Sequence, residues 1–114
     1  MTDKIVVMVA CGSKKEARAI TKSLVSRRLA ACVQEVGGGI RSTYRWRGKV
    51  ESAKEFLLLI KTTRKRFSAV SEEVRKLHSY EVPEIIALEV RDGSPDYLSW
   101  ITNSVSSSPA GSRR

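Results

Sequence analysis

Phe56-Leu57-Leu58-Leu59-Ile60 is apolar at every position, and this run near the middle of the chain predicts a central strand of a sheet. Ile5-Val6-Val7-Met8-Val9-Ala10 is a second continuous apolar run and is rich in β-branched residues. A run without alternating polar residues is typical of a strand that is buried on both faces. We therefore expect the first run to lie at the centre of the sheet and the second to be covered on both faces.

Helical patterns lie between and after these strands. Ser13 and Glu16 have the spacing of a helix capping box, and an amphipathic helix is predicted over residues 14–30. Near the end of the chain, Ser94 followed by Pro95 predicts the start of a short helix.

Another helix is predicted after the central strand. Thr63 is expected to cap it, and an apolar stripe at helical spacing follows. The stripe consists of Phe67, Val70, Val74 and Leu77. A further strand is predicted over Glu84 to Val90.

A long hairpin is predicted ahead of the central strand. Cys32 to Trp46 has the pattern of one extended segment, with a bulge or sharp bend at Gly37-Gly38-Gly39, and Arg47-Gly48-Lys49 fits a tight turn. Fully extended, the segment would reach roughly 45 Å, whereas a compact domain of this length is only about 35 Å across. We therefore expect the hairpin to bend or to overhang its domain, and another copy of the chain to cover its edges.

The predicted order of elements is β-α-β-β-α-β followed by a helix, which is the order of a ferredoxin-like α+β sandwich. We expect residues 1–105 to form a single domain and residues 106–114 to be a flexible basic tail. In this topology, Cys11 at the end of the first strand and His78 at the end of the second helix fall on the same edge of the sheet. Cys32 falls on the opposite edge, roughly 20 Å away, so the two cysteines are not expected to pair within one chain.

The charge and the apolar content limit the possible partners. The formal net charge is +9, and nearly all of the excess falls in residues 1–50. Such a field favours anionic partners without identifying one, and a solvated basic surface is the simpler interpretation. No apolar stretch approaches the roughly 20 residues that a membrane span needs, so no membrane partner is expected. We expect a cytoplasmic protein with free thiols.

The segment from His78 to Glu84 carries the densest set of candidate ligands, with the only histidine at its start. Imidazole and carboxylate groups bind metals or small polar ligands. His78 is either a metal ligand or a cation favoured by the dipole of the preceding helix, and Cys11 is either a soft ligand for copper or a small buried side chain. Glu81 and Glu84 are candidates for binding a hard cation or for pairing with arginines.

Aromatic residues indicate a second candidate site. Tyr44 and Trp46 lie on the predicted hairpin, and Tyr80 lies in the segment after His78. We expect these three residues, with Glu81 and Glu84, to line a pocket between subunits; the alternative is that the aromatic rings only pack the interface between subunits.

An enzyme is not expected. The sequence has no nucleophile with a histidine base at a recognisable spacing and no paired carboxylates in a known motif. Gly37-Gly38-Gly39 is not followed by a helix start, so no phosphate-binding loop is predicted. Some ferredoxin-like domains bind RNA, but the strand that begins at Phe56 lacks the aromatic-rich, glycine-containing pattern on which bases stack. No specific nucleic-acid partner is therefore expected.

Three segments in this order resemble the CutA family of divalent-cation tolerance proteins, and the resemblance extends to about Ser104. The segments are Arg28–Val33 (RLAACV), Ile40–Val50 (IRSTYRWRGKV) and His78–Ile85 (HSYEVPEI), with support from Tyr97–Ile101 (YLSWI). The resemblance implies a ferredoxin-like homotrimer with a role in metal tolerance, in which copper is the metal most often linked to a site. It implies Cys11 and His78 as the metal ligands.

We therefore expect a homotrimer that binds copper or another divalent metal ion. Two alternatives stay open. The first is a trimeric regulator that resembles the PII signalling proteins and binds a small anion between subunits. The second is a basic module that binds nucleic acid.

Overall fold

The computed structural model describes residues 2–106, so the predicted tail lies outside the described residues except for Ser106. The described part is an α+β sandwich of ferredoxin-like topology, as expected. Its elements in chain order are β1 Lys4–Cys11, α1 Lys14–Ser26, β2 Cys32–Glu35, β3 Ile40–Trp46, β4 Lys49–Thr63, α2 Phe67–Leu77, β5 Ile85–Glu89 and α3 Pro95–Ser104.

Strand β4 lies at the centre of the sheet and runs antiparallel to β1, β2 and β3. β1 pairs in turn with β5, so the strand order is β2-β4-β1-β5, with β3 paired to the far end of β4. The prediction of a central strand is confirmed, because the apolar run of β4 has β1 on one side and β2 on the other.

The hairpin overhangs the rest of the sheet. Gly38 and Gly39 have φ angles of 78° and 79°, and the bend predicted at these glycines divides the extended segment into β2 and β3. Arg47 and Gly48, with φ angles of 50° and 81°, form the two-residue turn between β3 and β4. Within the described sheet, residues 49–55 of β4 pair only with β3, and the molecule is accordingly elongated, with extents of 47 × 26 × 26 Å.

Helix α1 ends at Ser26, whereas the sequence pattern predicted a helix that continues to residue 30. Arg28 has a left-handed φ of 58°. The N–H groups of Arg28 and Leu29 donate to the carbonyl oxygens of Val25 and Leu24, which is the Schellman arrangement that ends many helices. The prediction missed this end because arginine, and not glycine, occupies the left-handed position.

The predicted cap at Thr63 is also wrong. The Thr63 side chain makes no capping hydrogen bond, and a 3-10 turn, Arg64–Arg66, separates it from α2. The backbone N–H of Arg64 instead donates to the carbonyl oxygen of Asp3, at 2.7 Å. The chain therefore enters α2 tied to the start of β1.

Helices α1 and α2 cover one face of the sheet. The core between these layers is apolar, and its fully buried side chains include Val7, Val9, Ile20, Leu24, Leu58, Ile60, Val70 and Val74. Burial of side chains of this size is the main favourable contribution to folding, at about 1.5–3 kcal/mol for each.

The opposite face of the sheet is partly exposed among residues 2–106 of a single chain. Val6 and Met8 of β1 lie directly opposite Leu88 and Ile86 of β5, and paired residues share a face. Ile86 and Leu88 are 48% and 51% exposed, and Val6 and Met8 are partly exposed. The prediction that β1 is covered on both faces is therefore wrong for one chain, because α1 and α2 lie on the same side.

A buried carboxylate joins the two helices and gives the first prediction. Glu73 of α2 accepts hydrogen bonds from the Ser23 hydroxyl, at 2.5 Å, and from the Arg27 guanidinium, at 2.6 Å. Both hydrogen bonds hold the pKa of Glu73 below its usual value, and the bond from Ser23 has the larger effect. The stabilisation is therefore present above the ordinary glutamate pKa of about 4.3 and is lost as the pH falls through the lower pKa of the folded state.

We expect Glu73→Gln to reduce the loss of melting temperature between pH 7 and pH 3 relative to the unsubstituted protein. Thermal unfolding followed by circular dichroism measures this difference. Glu72→Gln is the matched control, because Glu72 is the exposed neighbour on the same helix. If Glu73→Gln and the control lost the same melting temperature between pH 7 and pH 3, the stabilising role of the Glu73 carboxylate would be contradicted.

Candidate functional site

Three potential metal ligands converge at one edge of the sheet. Cys11 ends β1, Glu16 lies in the first turn of α1, and His78 follows α2. The sulfur, one carboxylate oxygen and one ring nitrogen all lie within 4.8 Å of one another. Cys32 lies at the other edge, since it pairs with Lys61 of β4 whereas Cys11 pairs with Phe56. Both cysteines are free.

Cys11 is completely buried and carries its proton at neutral pH. Burial, with smaller contributions from the negative charges of Glu16 and Glu55, raises the pKa of the Cys11 thiol to about 12. A thiol must lose its proton to bind a metal ion, so a ligand role for Cys11 requires an ion that can displace this proton.

The His78 ring is also buried, and both of its nitrogens have partners. Nε2 lies 2.7 Å from the carbonyl oxygen of Ala10, which can only accept, so Nε2 carries the hydrogen. Nδ1 accepts the backbone N–H of Tyr80 at 3.1 Å. In this arrangement Nε2 is the donor and Nδ1 is the acceptor, which is the hydrogen-bond pattern of the tautomer that carries its hydrogen on Nε2.

Glu16 was not among the predicted site residues. Its Oε1 accepts the backbone N–H of Ser79 at 2.9 Å. Its Oε2 is buried, has no hydrogen-bond partner among the described residues, and lies 3.5 Å from His78 Nδ1. The capping-box spacing was the available signal, but only half of the motif forms: the Ser13 hydroxyl oxygen accepts the N–H of Glu16, while the carboxylate turns to Ser79.

The donor atoms of these three side chains are of the kinds that bind copper or zinc, but their present hydrogen bonds and protons would have to change for an ion to bind. Sulfur, imidazole nitrogen and carboxylate oxygen form a donor set that such ions accept. The buried, unpartnered oxygen of Glu16 is the observation that favours a cation here, because an unpaired buried carboxylate oxygen is costly. Binding would nevertheless require the Cys11 proton to leave and Nδ1 of His78 to release the N–H of Tyr80.

A cleft of about 870 Å³ lies beside this cluster, between the hairpin and the loop that follows His78. All five residues that were predicted for a pocket contribute to its lining: Tyr44, Trp46, Tyr80, Glu81 and Glu84. The other lining residues are Ala10, Ser42, Thr43, Glu51, Glu55, Val82 and Pro83. A cleft with four carboxylates does not suit the small anion of the PII-like alternative.

Tyr80 connects the cleft to the metal-ligand cluster. Its hydroxyl donates to Glu55 Oε2 at 2.8 Å, and its ring is tilted against His78 with the centroids 4.7 Å apart. Burial and the hydrogen bond to Glu55 raise the pKa of Tyr80. Gly12 permits this packing, because a Cβ at that position would lie 2.9 Å from the Tyr80 hydroxyl oxygen.

Glu55 is the second site residue that the sequence did not indicate. It directly precedes the apolar run of β4 and is only 6% exposed, although it is charged. Glu81, by contrast, lies at the rim of the cleft in an exposed ion pair with Arg47 at 3.0 Å. Exposed pairs of this kind contribute about 0–1 kcal/mol, so Glu81 is available for other contacts.

Within residues 2–106, no helix is both long enough and apolar enough to cross a membrane.

Comparison with known proteins gives consistent similarities along the chain. The family model described as "CutA1 divalent ion tolerance protein" matches residues 5–104. The chain is 48% identical over 96 residues to the divalent-cation tolerance protein CutA of Thermus thermophilus, covering 84% of this chain and 92% of that protein. It is 46% identical over 103 residues to the protein CutA of Mus musculus, covering 88% of this chain and 58% of the mouse protein.

Solved structures have the same fold. The crystal structure of CutA from Xylella fastidiosa superimposes with a TM-score of 0.89 at 40% identity, covering 92% of this chain and all of that one. The periplasmic divalent cation tolerance protein CutA from Archaeoglobus fulgidus superimposes with a TM-score of 0.87 at 36% identity, covering 90% of this chain and 99% of that one.

Proposed function

Because the chain belongs to the CutA1 divalent ion tolerance family, we propose that it is a homotrimer that binds copper or another divalent metal ion and acts in metal tolerance. Its role is binding and not catalysis. Its location is the cytoplasm, where a reducing environment keeps both cysteines as free thiols. The observation that carries the metal proposal is the unpartnered buried oxygen of Glu16 next to Cys11 and His78.

The metal ligands in this proposal are Cys11, Glu16 and His78. Each is held by a different element, so the donor set forms only when β1, α1 and the end of α2 are packed together. Metal binding to such a set requires the folded chain and is accompanied by proton release from Cys11. The apparent affinity for the metal therefore rises with pH.

The open face of the sheet and the overhanging hairpin support self-association. Ile86 and Leu88 expose apolar surface on this face, and Val50 exposes more on the hairpin, at 65%. Exposed apolar surface of this kind is typical of a protein–protein interface. Copies related by a closed rotation cover such a face repeatedly, and the family resemblance supplies the number three.

Copper titration against a competing chelator tests the metal site. We expect Cys11→Ser and Glu16→Gln each to weaken copper binding by at least about tenfold, because each removes one donor from a small set. Glu16→Gln keeps an oxygen that can accept the Ser79 N–H, so it removes the charge with little change in packing. Cys32→Ser is the matched control and should bind copper as the unsubstituted protein does.

Light scattering coupled to size exclusion provides the second readout. All three variants should keep a mass of about three times 12.7 kDa. Unchanged copper affinity in the Cys11→Ser/Glu16→Gln double variant would reject this metal site. A monomer at micromolar concentration would reject the trimer.

A further inference from the structure

The cleft between the hairpin and the loop after His78 is strongly acidic, although the chain is strongly basic. Its lining includes Glu51, Glu55, Glu81 and Glu84, and among residues 2–106 no lysine or arginine lines it, although Arg47 pairs with Glu81 at the rim. The chain as a whole has a net charge of +9, so this concentration of carboxylates runs against its overall composition. Low-dielectric walls around charges of one sign focus the field, and this cleft therefore selects a cation.

Glu55 supplies a hydrogen-bond acceptor inside the cleft. The residue is 6% exposed, and its Oε2 accepts the Tyr80 hydroxyl hydrogen at 2.8 Å. Its Oε1 has no hydrogen-bond partner among the described residues, and no basic side chain within residues 2–106 forms an ion pair with it. Among residues 2–106 the only buried side-chain oxygen without a hydrogen-bond partner is Glu16 Oε2, so Glu55 Oε1 is an accessible acceptor to which a charged N–H group of a ligand can donate.

The aromatic lining adds a requirement on the size and polarity of the cation. Tyr44, Trp46 and Tyr80 line the cleft and are 41%, 37% and 38% exposed. Aromatic ring faces attract organic cations and pack against their apolar portions. A volume of about 870 Å³ lies in the range of pockets that hold small organic molecules.

A bare metal ion fits the cleft poorly. Among residues 2–106, the only group of potential ligands whose donor atoms converge within 4.8 Å is Cys11, Glu16 and His78. The carboxylates of the cleft do not belong to it, so they are too far apart to surround one ion together. Separated carboxylates around aromatic rings suit a larger cation with several contact points.

We propose that this cleft binds a small organic cation that carries N–H donors, an alkylammonium, with the ammonium group on Glu55 Oε1 and the alkyl portion against the aromatic rings. The inference goes beyond the proposed metal binding and does not depend on it, since none of Cys11, Glu16 and His78 contacts the ligand. The outer carboxylates attract the cation to the mouth of the cleft, and Glu55 selects for N–H groups inside it.

The test is a calorimetric titration of the full chain with three probes of similar size. n-Butylammonium has charge and N–H donors, butyltrimethylammonium has the charge alone, and 1-butanol has neither the charge nor the N–H donors. We expect n-butylammonium to bind at least tenfold more tightly than either of the other two. Equal affinity for n-butylammonium and 1-butanol would overturn the proposal.

Variants assign the binding to the cleft. Glu55→Gln should weaken n-butylammonium binding at least tenfold, and Glu51→Gln, at an exposed hairpin position, should weaken it about threefold. Glu72→Gln on α2 removes one charge far from the cleft and should leave the affinity unchanged. If Glu55→Gln fails to fold, Glu51→Gln still tests whether n-butylammonium binds in the cleft. Unchanged n-butylammonium affinity in every cleft variant that folds would overturn the assignment of binding to the cleft.

A cation from a second copy of the chain is the competing occupant. In that case Glu55→Gln and high concentrations of n-butylammonium would both lower the mass measured by light scattering, and this result would overturn binding of a free ligand. Copper titration of Glu51→Gln separates this proposal from the metal proposal, because Glu51 lies outside the group of Cys11, Glu16 and His78. Copper binding should be unchanged in that variant, although its binding of n-butylammonium is weaker.

Discussion

A variant in which Cys11 is the only thiol is expected to react with Ellman's reagent at least about a thousandfold more slowly when folded than when unfolded. Only the thiolate reacts, and burial raises the pKa of Cys11 from 9.0 to about 12, which lowers the thiolate fraction at neutral pH by about three orders of magnitude. The complete burial of the side chain slows the reaction further by excluding the reagent.

Cys32→Ser supplies this single-thiol protein, and the same protein in guanidinium chloride supplies the unfolded reference. The rate of colour development at pH 7.5 is the measurement. A folded rate within about tenfold of the unfolded rate would show that Cys11 is accessible as a thiolate. That result would make Cys11 a better metal ligand than the structure indicates.

The raised pKa of Cys11 also determines how the stability of the folded protein changes at alkaline pH. The folded state holds the Cys11 proton more tightly than the unfolded state does, so its stabilising contribution is complete below pH 9 and is lost as the pH rises towards about 12. Copper must displace the same proton. For this reason the stability of the metal-free protein and its apparent copper affinity should change in opposite directions as the pH rises.

His78→Ala is expected to lower the free energy of unfolding by about 2–4 kcal/mol. The substitution removes a fully buried ring, leaves the carbonyl oxygen of Ala10 without its 2.7 Å donor, and removes the acceptor of the Tyr80 N–H. A cavity and two unsatisfied backbone groups account for a loss of this size. The effect does not require a metal ion.

Urea unfolding with a chelator present, at one fixed protein concentration, measures this loss without metal binding and without a shift from self-association. Ser79→Ala is the matched control. Its side chain is exposed and only its backbone N–H contacts Glu16, so it should change stability by no more than about 0.5 kcal/mol. A loss below about 1 kcal/mol for His78→Ala would contradict the structural role of the ring.

Several features of the fold could be predicted because they depend on local patterns and on chain direction. The apolar runs of β1 and β4 indicated strands, and the alternation of strands and helices indicated the ferredoxin-like order. That order brings the end of β1 and the end of α2 to one edge of the sheet. There the potential ligand atoms of Cys11 and His78 lie within 4.8 Å of each other and of the Glu16 carboxylate. The length of the extended segment likewise predicted the overhang that the elongated shape shows.

Other features depended on which residues meet across long distances in the sequence, and these decided the chemistry of the site. Glu16 looked like a capping residue, yet its carboxylate bonds to Ser79, which lies 63 positions further along the chain. Glu55 looked like the polar start of a strand, yet it is buried against the Tyr80 hydroxyl. The periodicity of apolar residues indicates whether a segment is a helix or a strand and on which face each side chain lies. The burial, the pKa and the hydrogen-bond partners of a side chain depend on which other residues pack against that face. For this reason the sequence alone determined the fold and the candidate ligands Cys11 and His78. Only the tertiary structure added Glu16 and decided that Cys11 is a buried thiol with a raised pKa and that both ring nitrogens of His78 have hydrogen-bond partners.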